Sequence, residues 1–244
     1  MSNLGINVPP GFTVTTEVCR YFIDNKTFPE KFENELRSSI KKLEEYSGKV
    51  FGNSDNPLLL SVRSGGRISM PGMMDSILNI GLNDENVIHL SKVFNDERFA
   101  LDSYRRLIQM YGNVVLDIDQ KRFEAILENK KRIDNLNSDA DFNSEQLQWV
   151  IDAYKNTVER FSDAPFPQDP EEQLMGSIKA VFNSWLNKRA VTYRKINNIP
   201  DHWGTGATIQ TMVFGNLNEN SGTGVAFTRF PSTGKNELYG EYLM

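Results

Sequence analysis

The chain has 244 residues, 39% of them apolar and 24% charged, with a formal net charge of −5, a single cysteine and two histidines, which is length enough to bury one large core or two small ones. The acidic balance argues against a general nucleic-acid binder, whose affinity comes from a dense basic face, and Cys19 with only His89 and His202 supports neither a disulfide framework nor a Cys/His metal cluster. No apolar run approaches the roughly 20 residues of a membrane helix, and the amino terminus lacks a signal-peptide pattern, so a cytoplasmic globular chain without a membrane partner is expected.

Pro9, Pro10 and Gly11 predict a turn before a short strand at Phe12–Val14. Thr15 or Thr16 is placed to cap a helix running through Phe22, in which Cys19 packs. Pro29 suits a first helical turn; Phe32, Leu36, Ile40 and Leu43 recur at helical spacing, and Gly48 is placed to end that helix. Leu58–Val62 reads as a short buried strand. Met73–Ile80 reads as an apolar helical segment closed by Gly81, whose amino terminus would add aligned N–H groups to an anion site.

From Asp84 to about Asn198 the pattern is helical. Leu101, Tyr104, Leu107, Ile108 and Tyr111 make one stripe, and Leu147, Val150, Ile151, Tyr154, Val158 and Phe161 a second. Leu174, Ile178, Val181, Phe182 and Trp185 make a third, and all three are read as helix core. The polar stretch Asn129–Asn143 reads as a loop within this region, and the prolines between Ala164 and Pro170 mark a break before a helix starting near Glu171. After Pro200, Ala207–Phe214 alternates like a strand, Gly215–Ser221 supplies turn residues and Thr223–Thr228 is the expected return strand. Pro231–Gly234 is a further turn, and Glu237–Met244 begins another strand, in which the chain is expected to stop mid-element.

Chemistry concentrates in Ser61–Asp75, Ser-Val-Arg-Ser-Gly-Gly-Arg-Ile-Ser-Met-Pro-Gly-Met-Met-Asp. Arg63 and Arg67 emerge where a strand gives way to glycine-rich backbone, and Gly65, Gly66 and Gly72 let that backbone approach a ligand. A guanidinium offers a planar fork of donors matched to phosphate oxygens and stays charged at any working pH. Phosphate is therefore the ligand this segment suggests. Ser64, Gly65 and Gly66 offer main-chain donors, whereas Met70, Met73 and Met74 are expected to pack the loop.

The segment resembles that of the pyruvate phosphate dikinases, where Arg63, Ser64-Gly65 and Met70-Pro71-Gly72-Met73-Met74-Asp75 belong to the amino-terminal nucleotide-binding domain. The resemblance continues in order along the chain. It includes Pro9–Thr16, Asp102–Arg106 with Ile108–Tyr111, Gln173–Gly176, Gln210–Asn216, Ser221–Arg229 and Tyr239–Leu243, with Leu116–Pro165 the least similar part. It implies an α+β fold, an incomplete ATP-grasp-like nucleotide-binding domain with a large helical insertion. On this basis residues 1–83 are the first part with the Arg63 loop, 84–198 the mainly helical insertion and returning helix, and 199–244 the start of a second β-rich subdomain.

The resemblance further implies ATP and Mg²⁺ as cofactors, pyruvate and phosphate as partners of the full-length enzyme, no nucleic acid, and a homodimer when full length. The implied reaction converts ATP, pyruvate and phosphate to AMP, phosphoenolpyruvate and diphosphate through a phosphohistidine in a separate domain. It carries an ATP-binding role onto Arg63. Candidate contacts beside it are Ser64, Gly65 and Arg67, then Met212 and Val213 along an adenine-binding strand, then Ser221, Gly222 and Gly224 in a glycine-rich turn, and Glu241. Each has a plainer alternative: a structural arginine, a half-buried strand, an ordinary turn, an exposed carboxylate.

Neither His89, in an amphipathic helix, nor His202, in a loop, matches the family's Thr-Ser-His signature, so no catalytic residue and no metal ligand is expected among these residues. The family's Gly-Gly-Lys-Gly lysine is expected upstream of Met1, and its acidic magnesium ligands and Gln-x-Arg pair downstream of Met244. The isolated chain is accordingly expected not to complete the cycle. Two alternatives stand beside this reading: a non-catalytic nucleotide-binding or interaction module, and a related dikinase such as phosphoenolpyruvate synthase or a glucan-phosphorylating enzyme. Met70–Asp75 after Ser64-Gly65 favours the pyruvate phosphate enzymes.

Overall fold

The structure, a computed structural model, describes residues 2–53 and 55–243. It divides into two compact units, Met1–Met212 and Val213–Met244. In the first, a short strand β1 (Gly11–Val14) leads into helix α1 (Thr16–Asn25), whose buried side is Cys19 and Phe22. The helix starts where expected, but the Thr15 side chain makes no capping hydrogen bond, and Lys26 ends it in the left-handed region. Helix α2 (Phe32–Ser47) buries Phe32, Leu36, Ile40 and Leu43, the four residues of the helical repeat, and stops at Gly48 with φ 68°, where only glycine avoids a Cβ penalty. Pro29 sits one turn ahead of it, its carbonyl accepting from the Phe32 N–H at 2.9 Å.

Strand β2 (Leu60–Gly65) follows buried Leu58 and Leu59. The next element corrects the sequence expectation. Ser76–Ile80 is a strand, β3, antiparallel to β2 and not the end of a helix, so this segment does not bring the expected helix amino terminus to the Arg63 loop. A run this short and apolar is compatible with either state, and the free edge of β2 decides it.

Six helices come next: α3 (Asn86–Phe94), α4 (Glu97–Val114), α5 (Gln120–Asp134), α6 (Ser144–Ser162), α7 (Pro170–Ser184) and α8 (Lys188–Ile196). Several starts are written locally. Asp96 caps α4 by accepting from the Phe99 N–H, Asn143 and Gln146 form a reciprocal capping box on α6, and Pro170 occupies the first turn of α7 behind Asp169. The loop expected from Asn129 is shorter, because α5 continues to Asp134. Two residues leave their expected stripes. Phe161 is 42% exposed and lies under the Arg122 guanidinium, 3.8 Å from its ring centre; Trp185 lies just past α7, buried under Arg194.

Strand β4 (Gly206–Thr211) closes a four-stranded sheet in the order β1-β4-β2-β3, antiparallel throughout. Phe12, Ile209, Val62 and Ile77 are register partners across all four strands, and the last three are fully buried. Each such side chain contributes about 1.5–3 kcal/mol on burial. Helix α7 packs on β2, β3 and β4, α1 on β4 and α7, and α4 on β3, with α6 against α4 and α5 against α6.

In the second unit β5 (Thr223–Phe227) pairs antiparallel with β6 (Tyr239–Leu243). The expected hairpin between the strand at 207–214 and Thr223–Thr228 is thus corrected: β4 ends at Thr211 with both edges already bonded, to β1 and β2, so a return strand has no edge to join. Among the described residues no helix is long and apolar enough to cross a membrane.

Candidate functional site

The alternation that buries Val62 turns Arg63 to the opposite face of the sheet, where it is exposed. Its register partners are Thr208 on β4 and Ser76 on β3, and Thr208 in turn faces Thr13 on β1. One guanidinium and three hydroxyls therefore form a row across the four strands. Thr13 Oγ1 and Thr208 Oγ1 are 3.1 Å apart and hydrogen-bonded. Among the described residues, the Arg63 side chain has no hydrogen-bond or ion-pair partner, which leaves its fork of donors available. Gly65 and Gly206, paired at the end of the same strands, carry no side chains to crowd this face; a Cβ at Gly65 would lie 3.4 Å from Thr208 Oγ1.

On the β1–β4 side the row borders a cleft of about 650 Å³. Thr13, Thr208 and Gln210 line one wall, with Ser39, Lys42 and Tyr46 of α2 on another. Gln210 is oriented by its donation to the Pro9 carbonyl at 2.9 Å. Thr13, Ser76, Thr208 and Lys42 were not singled out from the sequence, because only strand register and helix packing place them near Arg63. A larger cleft, of about 1280 Å³, lies between α4, α7 and α8 and does not include Arg63. Size alone does not identify a ligand site. An unpaired guanidinium on a strand bonded on both edges has the donors that an anion such as phosphate needs.

The other sequence candidates fall as follows. Ser64 points to the face opposite Arg63, by strand alternation, so on the Arg63 side it offers only backbone. Arg67 is exposed on the following loop, its guanidinium carbon 5.4 Å from the centre of the Trp203 ring. Met70 is buried with Trp185, Ala190 and Ile199, and Met73 and Met74 pack against that cluster, as expected of loop-packing methionines. Met212 lies beyond the end of β4, its N–H donating to the Leu59 carbonyl at 2.9 Å.

Val213, Ser221, Gly222, Gly224 and Glu241 belong to the second unit. Val213 is 69% exposed. Ser221 closes a turn on Asn218, and Gly224 lies in β5 opposite Tyr242, not in the turn where the sequence placed it. The Glu241 carboxylate accepts from the Tyr239 hydroxyl at 2.7 Å, and that bond raises the tyrosine's pKa. Burial pushes the Cys19 thiol up, away from a reactive thiolate. His89 sits 3.4 Å from the Asp55 carboxylate, and His202 is in a 3-10 turn.

The arrangement defines a class: an α+β domain presenting an unpaired arginine, carried by a strand bonded on both edges, on a hydroxyl-bearing sheet face whose donors suit an anion. Residues 23–241 match the family described as "Pyruvate phosphate dikinase, AMP/ATP-binding domain", and the chain belongs to that family. It is 51% identical over 245 residues to the pyruvate, phosphate dikinase of Rhizobium meliloti (strain 1021), covering all of this chain and 27% of that protein. Identity to the Clostridium symbiosum pyruvate, phosphate dikinase is 49% over 246 residues, covering 100% of this chain and 28% of that protein. For pyruvate, phosphate dikinase 1, chloroplastic, of Oryza sativa subsp. japonica it is 48% over 245 residues, covering 100% and 26%. The chain thus spans little more than a quarter of the length of these relatives.

Proposed function

We propose that this chain is the ATP-binding part of a pyruvate, phosphate dikinase, built as an incomplete ATP-grasp-like domain in which residues 84–198 are a helical insertion, and that Arg63 binds phosphate oxygens of ATP. The whole enzyme would convert ATP, pyruvate and phosphate to AMP, phosphoenolpyruvate and diphosphate through a phosphohistidine in another domain, as a cytoplasmic homodimer. The observation that carries the reading is the unpaired Arg63 on the open sheet face of a chain matched over its whole length by dikinases.

The chemistry of this part is binding and positioning. A guanidinium that donates two parallel hydrogen bonds to a phosphoryl group fixes its orientation and neutralises part of its charge. Arg63 is held for this by a strand bonded on both edges, with Val62 and Leu60 fully buried beside it. Thr208 and Thr13 add hydroxyls that reach the same face. Ser64 and Gly65 contribute backbone, and Arg67, Met212, Val213, Ser221, Gly222, Gly224 and Glu241 remain proposed contacts that substitution would sort. Magnesium belongs to this reading through the nucleotide, but among the described residues no three His, Cys, Asp or Glu side chains converge to hold an ion, and no step is assigned to one.

Calorimetric titration with ATP, on this chain and on the full-length protein, tests the reading. Hydrogen bonds to a charged group are worth about 1.5–3 kcal/mol, so Arg63→Ala should weaken ATP binding roughly 10- to 150-fold, and Thr208→Val about 2- to 10-fold. Equal affinity of the full-length protein with and without Arg63→Ala would remove Arg63 from the site.

A further inference from the structure

We infer that the cleft between α4, α7 and α8 is a second ligand site, for a small molecule carrying a phosphate or carboxylate on an apolar or planar body, and that its ligand competes with Asp75 for Arg189. The cleft encloses about 1280 Å³, ample for a ligand of nucleotide size. Its floor exists because α7 approaches α4 closely at Gly176, where a Cβ would sit 2.3 Å from the Tyr111 hydroxyl.

The charge is arranged for an anion. Lys179 and Lys188 both line the cleft, and their ammonium groups have no hydrogen-bond or ion-pair partner among the described residues, although the chain as a whole is acidic. A concave wall concentrates the field of such groups more than a flat surface does. Among the described residues, Asp117 and Asp75 are the carboxylates lining the cleft, against the three cations Lys179, Lys188 and Arg189.

That this wall can seat an anion is shown by the chain itself. The Asp75 carboxylate is gripped by Arg189 Nη2 and by Asn187 Nδ2 at 3.0 Å, and its backbone N–H donates to Ser184 Oγ at 3.4 Å. Arg189 Nε donates at 3.1 Å to the Met73 carbonyl. The same lining also carries apolar groups, with Val114 and Val115 half-buried, Tyr193 half-buried and Ile196 73% exposed. A ligand with an anionic head and an apolar or planar body matches both kinds of lining.

The site also communicates with Arg63. Asp75 immediately precedes Ser76, the β3 partner of Arg63, so the Asp75–Arg189 latch fixes the end of the strand that flanks the guanidinium. A ligand anion that takes Arg189 releases that latch, and linkage makes the effect reciprocal. The coupling rests on the proposed role of Arg63, whereas the cleft site does not.

The experiment follows backbone amide shifts of Lys179, Asn183, Lys188 and Arg189 while AMP or citrate is titrated into the Arg63→Ala chain, which removes the proposed nucleotide grip. AMP tests a phosphate head on a planar body, and citrate tests carboxylates alone. A saturable shift with either probe is expected, weakened about tenfold or more in Lys179→Ala/Lys188→Ala, whose exposed positions spare the fold, and strengthened several-fold in Asp75→Asn, which frees Arg189. No saturable shift up to about 10 mM of either probe, an affinity below the useful range of a specific small-molecule site, overturns the site. So does an affinity unchanged in the double-lysine variant. Unchanged affinity in Asp75→Asn overturns the competition. Failure of the Arg63 reading shows separately, in the ATP titration.

Discussion

Replacing Asp102 by asparagine should destabilise the first unit far more than a typical polar substitution. Asp102 and Arg105 are both buried on α4, with 8% and 3% of their side chains exposed, and Arg105 Nη2 lies 2.7 Å from Asp102 Oδ1. Arg106 holds the other carboxylate oxygen at 2.8 Å. At that separation and an effective dielectric of about 20 the buried pair attracts with about 6 kcal/mol gross, most of it offset by desolvation. Removing one partner of a buried pair costs about 3–5 kcal/mol, because the other charge is left uncompensated.

Arg105 keeps its bond to Gln109 Oε1 at 3.0 Å and approaches Asp139 at 3.9 Å, while the Tyr154 hydroxyl beside it makes no well-formed hydrogen bond. These residual partners place Asp102→Asn near the lower end, about 3 kcal/mol, or roughly 6–12 °C in melting temperature for a domain of this size. Thermal unfolding followed by helical circular dichroism reads this directly. Arg106→Gln is the control: its side chain is 54% exposed, and the loss should stay within about 1 kcal/mol. Replacing both buried charges, Asp102→Leu with Arg105→Met, should recover much of the loss. An Asp102→Asn protein within about 1 kcal/mol of the parent would refute the argument, because the buried guanidinium would then need no counter-charge.

The same pair predicts an acid response. Burial pushes the Asp102 carboxyl up, but Arg105 and Arg106 more than offset this and hold it below the ordinary carboxylate range. The stability it contributes is therefore complete above its unfolded pKa, about 3.9, and is lost as pH falls through the lower folded value. Acid titration of unfolding should show a shallower slope in Asp102→Asn than in the parent; equal slopes would assign the acid sensitivity elsewhere. Gly176→Ala places a Cβ 2.3 Å from the Tyr111 hydroxyl, and that ring is packed edge-on against Phe166 with centroids 5.6 Å apart. Overpacking of this kind costs about 1–3 kcal/mol, and Tyr111→Phe in the same chain should relieve part of it, as urea unfolding would measure.

What the sequence made legible is what local chemistry decides. The repeat of Phe32, Leu36, Ile40 and Leu43 and the stop at Gly48 need only helix geometry and one glycine, and the structure shows both. Met73–Ile80 departs from its helical expectation because its fate depends on a partner: an apolar stretch of this length becomes a strand when an edge such as that of β2 is available, and periodicity carries no record of that edge. The hairpin expected after Thr211 failed for the complementary reason, since β4 has no edge left.

The candidate site divides along the same line. Arg63 stands out in the sequence because a charged residue after an apolar strand and before two glycines is a local pattern. Thr13 and Thr208 are 195 residues apart, and only the β1–β4 register brings their hydroxyls to 3.1 Å on the face that Arg63 shares. Strand order also sets what each can contribute. Arg63 has its place fixed by neighbours on both sides, whereas Thr13 lies on the edge strand β1. Contacts made through Thr208 and Arg63 should therefore be the better preorganised, and the loss from Thr208→Val should exceed that from Thr13→Val in the same ATP titration.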